Sequence, residues 1–126
     1  MNSLKHTFLL LFIFSIAFTA CNHTGTETQK SEIRIIKGLY SYGPEIKSFA
    51  DCEGGTEYWV ADSSKTLELA YSKFNFEKPY EPVYIEAECH AIKSDNQVVS
   101  ADFDSILVVT KLIKITREIP DGPCNQ

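Results

Sequence analysis

Phe8 to Phe18 is an apolar run broken only by Ser15, whereas later hydrophobic positions are spread among polar ones with readable periods. Ile33 to Tyr42 alternates loosely, with Ile33, Ile35 and Leu39 on one face and Ile36, Gly38, Tyr40 and Tyr42 on the other, the pattern of a long strand. Gly38, in mid-strand, predicts a bulge or a sharp coil there. Gly43-Pro44-Glu45 breaks the strand, and Ile46 to Cys52 turns back against it. Gly54-Gly55 then makes the next turn into Glu57 to Ala61, completing a three-strand meander. Asp62-Ser63-Ser64 offers side chains able to cap a helix, and Leu67, Ala70, Tyr71 and Phe74 recur at i, i+3, i+4 and i+7, predicting one short amphipathic helix. Neither Ser63 nor Ser64 has Glu or Gln three residues on, so no capping box marks its start.

Pro79-Tyr80-Glu81-Pro82 forces an extended turn. After it, Val83, Ile85, Ala87, Cys89 and Ala91 alternate against Tyr84, Glu86, Glu88 and His90, as in a half-buried strand. Lys93 to Gln97 reads as a polar turn. Phe103 to Glu118 carries Ile106 to Val109, Leu112, Ile113 and Ile115 as a last long strand whose first half is expected to be buried on both faces. Pro120 to Cys124 leaves the sheet. The order β-β-β-α-β-β matches an all-β fold with one helix, a five-stranded Greek-key barrel of the OB type in which the helix plugs the barrel between the third and fourth strands. A plain antiparallel sheet with one packed helix gives the same order, and the pattern alone leaves both open.

The first apolar run is short of the roughly 20 residues that span a bilayer, and Lys5 and His6 precede it, so it reads as a signal peptide over residues 1–20. Phe18-Thr19-Ala20-Cys21 resembles a bacterial lipoprotein cleavage box, with Phe18 where leucine is usual. The expectation is lipid attachment, with acyl chains such as palmitate, at Cys21. The alternative is an ordinary secretory signal cleaved after Ala20, leaving Cys21 as a free thiol. Removing residues 1–20 takes away Lys5 alone among charged residues and moves the formal charge from −5 to −6. Residues 21–32, the lipidated cysteine and Asn22 to Glu32, hold no large apolar side chain and are expected to form a flexible tether, with His23 solvated within it. Residues 33–126 are then the folded domain, small enough that a covalent staple would help it. The acidic balance argues against a nucleic-acid partner, which would require a basic face to displace phosphate counterions.

An exported domain permits disulfides, and with Cys21 taken by lipid, Cys52, Cys89 and Cys124 leave room for one internal bridge. Cys89 shares the apolar strand face of Ile85 and Ala87 and reads as a buried thiol. Cys52 and Cys124 both lie near glycines at segment ends and are expected to pair, closing a loop of roughly 70 residues worth about 4 kcal/mol in the chain-entropy model.

Other chemistry is sparse. Cys89 and His90 are adjacent soft ligands, but neighbouring strand residues point to opposite faces, so no metal site is expected. Glu86 with Glu88, and Asp102 with Asp104 if the strand reaches them, form i, i+2 acidic pairs that read as a solvated sheet face. His90 is the domain's one candidate base, and no serine is placed beside it. No glycine-rich phosphate loop occurs. Tyr40, Tyr42, Tyr58, Trp59 and Tyr84 are candidate ligand-face aromatics, since rings on an OB face stack sugars or bases. At least half of the aromatics are expected to pack the core instead.

Phe49-Ala50-Asp51-Cys52, Gly54-Gly55, Tyr58-Trp59-Val60, a helix ending near Tyr71, Glu81-Pro82-Val83 and Pro120 to Cys124 together resemble the C-terminal OB domain of NlpE-type envelope lipoproteins. The resemblance covers most of Gly38 to Cys124. It implies an OB barrel with Cys52 and Cys124 paired, on an outer-membrane lipoprotein linked to adhesion and envelope-stress signalling and, by name, to copper tolerance. NlpE proteins also carry an N-terminal barrel domain with a C-x-x-C motif. No C-x-x-C occurs in this sequence, so that domain is expected to be absent. The resulting expectation is a non-enzymatic binding module without cofactors, held at the membrane through Cys21, facing an envelope protein or glycan. The alternative is a small envelope hydrolase or a copper-related metal-binding protein.

Overall fold

The computed structural model describes residues 31–94 and 102–125. Cys21, His23 and the segment expected to be a signal peptide lie outside them, as does much of the polar turn expected around Lys93 to Gln97. Among the described residues the strands are β1 (Arg34–Tyr42), β2 (Lys47–Asp51), β3 (Glu57–Asp62), β4 (Val83–Lys93) and β5 (Ser105–Thr116), with one α-helix, α1 (Leu67–Ser72). β1, β2 and β3 form the predicted antiparallel meander. β4 lies antiparallel to both β1 and β5, and a parallel β3–β5 pairing closes the barrel in the order β1-β2-β3-β5-β4. A plain open sheet is thereby excluded and the OB arrangement stands.

The interior is filled by the inward set of each strand, including Tyr40, Phe49, Val60, Ile85, Cys89, Leu107 and Val109, with Leu67 and Tyr71 of α1 packed among them. Helix α1 starts where Asp62 Oδ2 accepts the Glu68 amide at 3.0 Å, a cap delivered from the end of β3. It ends at Ser72, and Asn75 then takes a left-handed φ of 49°. Phe74, expected on the helical face, therefore sits in the following turn, yet still packs against the core.

The last strand departs from its expected form. Only Leu107 and Val109 of its first half are buried, while Ile106 and Val108 are half-buried, because a single-layer barrel has one interior face. Register shifts against β4 leave Thr110 and Ile113 as extra residues in β5. Thr110 Oγ1 donates to the Glu88 carbonyl at 3.1 Å across the first bulge. No such shift occurs at Gly38, which pairs in register with Ile85 inside the β1–β4 ladder and with Asp51 at the end of the β1–β2 ladder. The glycine meets a need for space instead, since Phe49 and the Ala50 carbonyl occupy the volume a Cβ would take.

Tyr40 is fully buried, its ring set edge-on to Tyr71 at 5.7 Å, and its hydroxyl has no hydrogen-bond partner among the described residues. An unsatisfied buried hydroxyl costs roughly 1–3 kcal/mol. Tyr40→Phe keeps the ring and removes that cost, so urea denaturation should show the variant more stable by about 1–2 kcal/mol. Burial also holds the Tyr40 hydroxyl far above the ordinary tyrosine range, with Glu68 and Asp62 nearby reinforcing the shift. The folded state thus favours the neutral phenol. The associated stability is intact below about pH 10, the unfolded value, and falls above it by up to about 1.4 kcal/mol per pH unit as the unfolded phenol ionises. Tyr40→Phe should reduce that alkaline slope.

Candidate functional site

A cleft of about 570 Å³ opens between the β1–β2 hairpin, at Tyr42, Gly43 and Pro44, and the α1–β4 loop, at Asn75 to Pro79. Tyr71 and Phe76 contribute aromatic surface to it. Four hydrogen bonds and two cation–π contacts brace the cleft. The Tyr80 amide donates to the Tyr42 carbonyl at 3.0 Å, and the Tyr80 hydroxyl accepts from the Glu45 amide at 3.4 Å. Tyr71 donates its hydroxyl to the Glu81 carbonyl at 2.7 Å. Arg117, just past β5, donates to the Phe74 carbonyl, and its guanidinium lies 4.5 Å from the Phe76 ring centroid and 5.3 Å from that of Phe74. Gly43 permits the close fit, because a Cβ there would lie 2.1 Å from the Tyr80 ring.

Tyr71 packs against Phe76 at 5.2 Å and Tyr42 at 5.6 Å, so the three rings form one continuous cluster. Lys47 stands over the Tyr42 ring at 5.5 Å and pairs with Glu68 at 2.5 Å. Burial raises the Tyr71 hydroxyl above its usual range. The arrangement offers flat apolar faces and a polar rim, the composition of a binding cleft.

The five candidate aromatics do not share a face. Tyr42 lines the cleft, but Tyr40 belongs to the core, where the inward side of β1 meets Tyr71. Tyr58 packs inward against Phe49 at 6.3 Å, and its hydroxyl accepts from Arg34 at 3.4 Å. Trp59 makes an edge contact with Phe103 at 5.9 Å. Tyr84 is nearly buried, with Lys114 over its ring and its hydroxyl donating to Glu86 at 3.1 Å. Burial and the Glu86 carboxylate both raise its pKa.

Cys52 and Cys124 are disulfide-bonded, with Cα atoms 4.7 Å apart. Cys89 is a buried free thiol, pushed up in pKa by burial against the lowering influence of Arg34. His90, next to it in sequence, lies half-buried. Glu86 pairs with Lys37 at 3.9 Å and Glu88 with Lys111 at 3.5 Å, so both carboxylates face lysines across the ladders. Asp102 and Asp104 precede β5 and do not share a strand face, since pairing begins at Ser105. Among the described residues no three His, Cys, Asp or Glu side chains converge to hold a metal ion.

Sequence reading missed Asn75, Phe76 and Arg117. The signal was Phe74-Asn75-Phe76 followed closely by Pro79-Tyr80-Glu81-Pro82, an aromatic and proline-rich connection too apolar for an idle loop.

The family model of the NlpE C-terminal OB domain matches residues 30–124. No curated protein sequence matches the chain. A crystal structure of the Cpx pathway activator NlpE from Escherichia coli superposes with a TM-score of 0.54 at 22% identity, covering 69% of this chain and 42% of that one. This chain therefore spans less than half the length of that solved relative. The barrel order, the Cys52–Cys124 bridge and the match over residues 30–124 agree, and the chain belongs to the NlpE C-terminal OB domain family.

Proposed function

We propose that this chain is a bacterial envelope lipoprotein, anchored at the outer membrane through lipid on Cys21, whose barrel over residues 33–126 is a non-enzymatic binding module in surface or envelope-stress sensing. The observation that carries the reading is the braced aromatic cleft of Tyr42, Tyr71 and Phe76 on a family barrel. The exported setting is supported by the apolar segment ahead of Cys21 and by a disulfide, which suits an oxidising compartment. The solved relative is described as a Cpx pathway activator, which supports a stress-related role.

Two measurements test it. Cells fed radiolabelled palmitate should label the wild-type chain, while Cys21→Ala should lose both the label and the membrane-fraction signal. An unlabelled wild type, or a Cys21→Ala chain that stays in the membrane, would overturn the anchor. An envelope-stress transcriptional reporter should respond to overproduced wild type and respond less to a folded Phe76→Ala chain. Equal responses would sink the role of the cleft.

A further inference from the structure

We propose that the cleft between the β1–β2 hairpin and the α1–β4 loop is a saccharide site that takes an uncharged oligosaccharide segment. This rests on the reading of the barrel as a binding module and names its ligand class.

Size and lining come first. About 570 Å³ falls within the roughly 300–1,000 Å³ range of small-ligand sites, and the lining joins aromatic rings to a few polar tips. Electrostatics then narrow the ligand. The Phe76 ring already faces Arg117 at 4.5 Å, and the Tyr42 ring faces Lys47 at 5.5 Å. A cationic ligand would be repelled by these same cations, which cover one face of each ring and leave a ligand only the other. An anion gains little either, because the rim charges Glu77 and Lys78 are adjacent and opposite in sign. Affinity must come from stacking and from hydrogen bonds to an uncharged ligand.

Part of the main chain around the cleft is unavailable for strand addition. The Gly43 amide donates to Ile46, that of Tyr80 to Tyr42, that of Phe74 to Tyr71 and that of Asn75 to Ser72. An extended peptide finds these donors taken, whereas β-augmentation needs an open edge. The hydroxyls of Tyr71 and Tyr80 are also engaged, with the Glu81 carbonyl and the Glu45 amide. Recognition falls to ring faces and to the side-chain tips of Asn75, Glu77 and Lys78. A pyranose matches that set, with an apolar C–H face for a ring and a belt of hydroxyls for amide, carboxylate and ammonium groups.

Calorimetric titration of the purified full chain with chitotetraose, cellotetraose and a proline-rich decapeptide tests the assignment. Saturable heat with at least one tetrasaccharide is expected, weakened about fivefold to tenfold in Phe76→Leu, the effect of losing one ring contact. Glu77→Ala, an exposed change, should weaken it while leaving the melting temperature unchanged. Heat from the decapeptide alone would overturn the saccharide assignment and leave the binding-module reading standing. Silence from all three probes would also overturn it, and the Phe76→Ala reporter result would then decide whether the cleft binds anything. Tetrasaccharide heat that persists unchanged in both variants would place any binding elsewhere and overturn the site.

Discussion

Gly38→Val is expected to leave the chain unable to form its barrel. A Cβ at this position would lie 2.2 Å from the Ala50 carbonyl oxygen and 2.5 and 2.7 Å from two Phe49 ring carbons, far inside van der Waals contact. Neither neighbour can yield. Gly38 is paired on both sides, with Asp51 of β2 and Ile85 of β4, so the carbonyl moves only if a ladder breaks. The Phe49 ring is 1% exposed and surrounded by core. Expelling it would forfeit about 3–5 kcal/mol, the cost of a Phe→Ala core truncation, from a domain whose total stability is on the order of 5–15 kcal/mol. Circular dichroism and soluble yield should show an unfolded or aggregated variant. Gly55→Ala is the control, because Gly55 has a φ of 67° but open space around it and should lose only about 1 kcal/mol. If Gly38→Val melts within a few degrees of wild type, the account of this glycine is wrong.

Gly38 also marks how far sequence reading reaches. A mid-strand glycine announces that a side chain is forbidden, but a bulge and a close approach leave the same letter in the chain. What separates them is the diagonal neighbour on β2, and Phe49 becomes that neighbour only once register is set. β1 to β4 were legible because each alternates along a single barrel wall. β5 was less so, since the extra residues Thr110 and Ile113 reset its parity twice, putting Leu112 and Ile115 against the core while Ile113 is exposed. The unbroken run Ile106 to Val109 lies before both bulges, in register with β4, and its outer side is half-buried where the run suggested burial on both faces. The fate of Tyr84 was hidden for another reason: strand parity puts it outside the core set, but parity does not reveal that Lys114 covers its ring. The cleft needed still more, because Tyr42, Tyr71 and Phe76 come from a strand, a helix and a loop. No period links them.

Loss of the Cys52–Cys124 bridge is expected to lower stability by about 4 kcal/mol, the chain-entropy value for a cross-link spanning 72 positions. For a domain of this size that corresponds to a fall in melting temperature of about 20 °C. The effect should act on the unfolded chain more than on the native one. The turn beside Cys52 is held by its own bonds, with the Asp51 amide donating to Thr56 at 2.9 Å and the Gly55 amide to Asp51 at 2.8 Å. The Glu53 amide adds a bond to Asp51 Oδ1 at 3.0 Å. The tail ends in a short 3₁₀ turn, Pro123–Asn125, that buries none of its residues, so removing the bridge frees a segment contributing little else. Cys89 cannot substitute as a partner, since its thiol is fully buried and held protonated by burial. Thermal melts of wild type, of dithiothreitol-reduced wild type and of the Cys52→Ser, Cys124→Ser double variant should place the last two together, well below the first. Below its midpoint the double variant should retain the native amide spectrum outside the tail and the turn. It should also retain ligand binding, because the cleft lies by the hairpin at the start of β2 while the bridge lies at its end. A double variant melting within about 5 °C of the oxidised wild type would mean that the unfolded chain is already compact enough for the cross-link to restrict little.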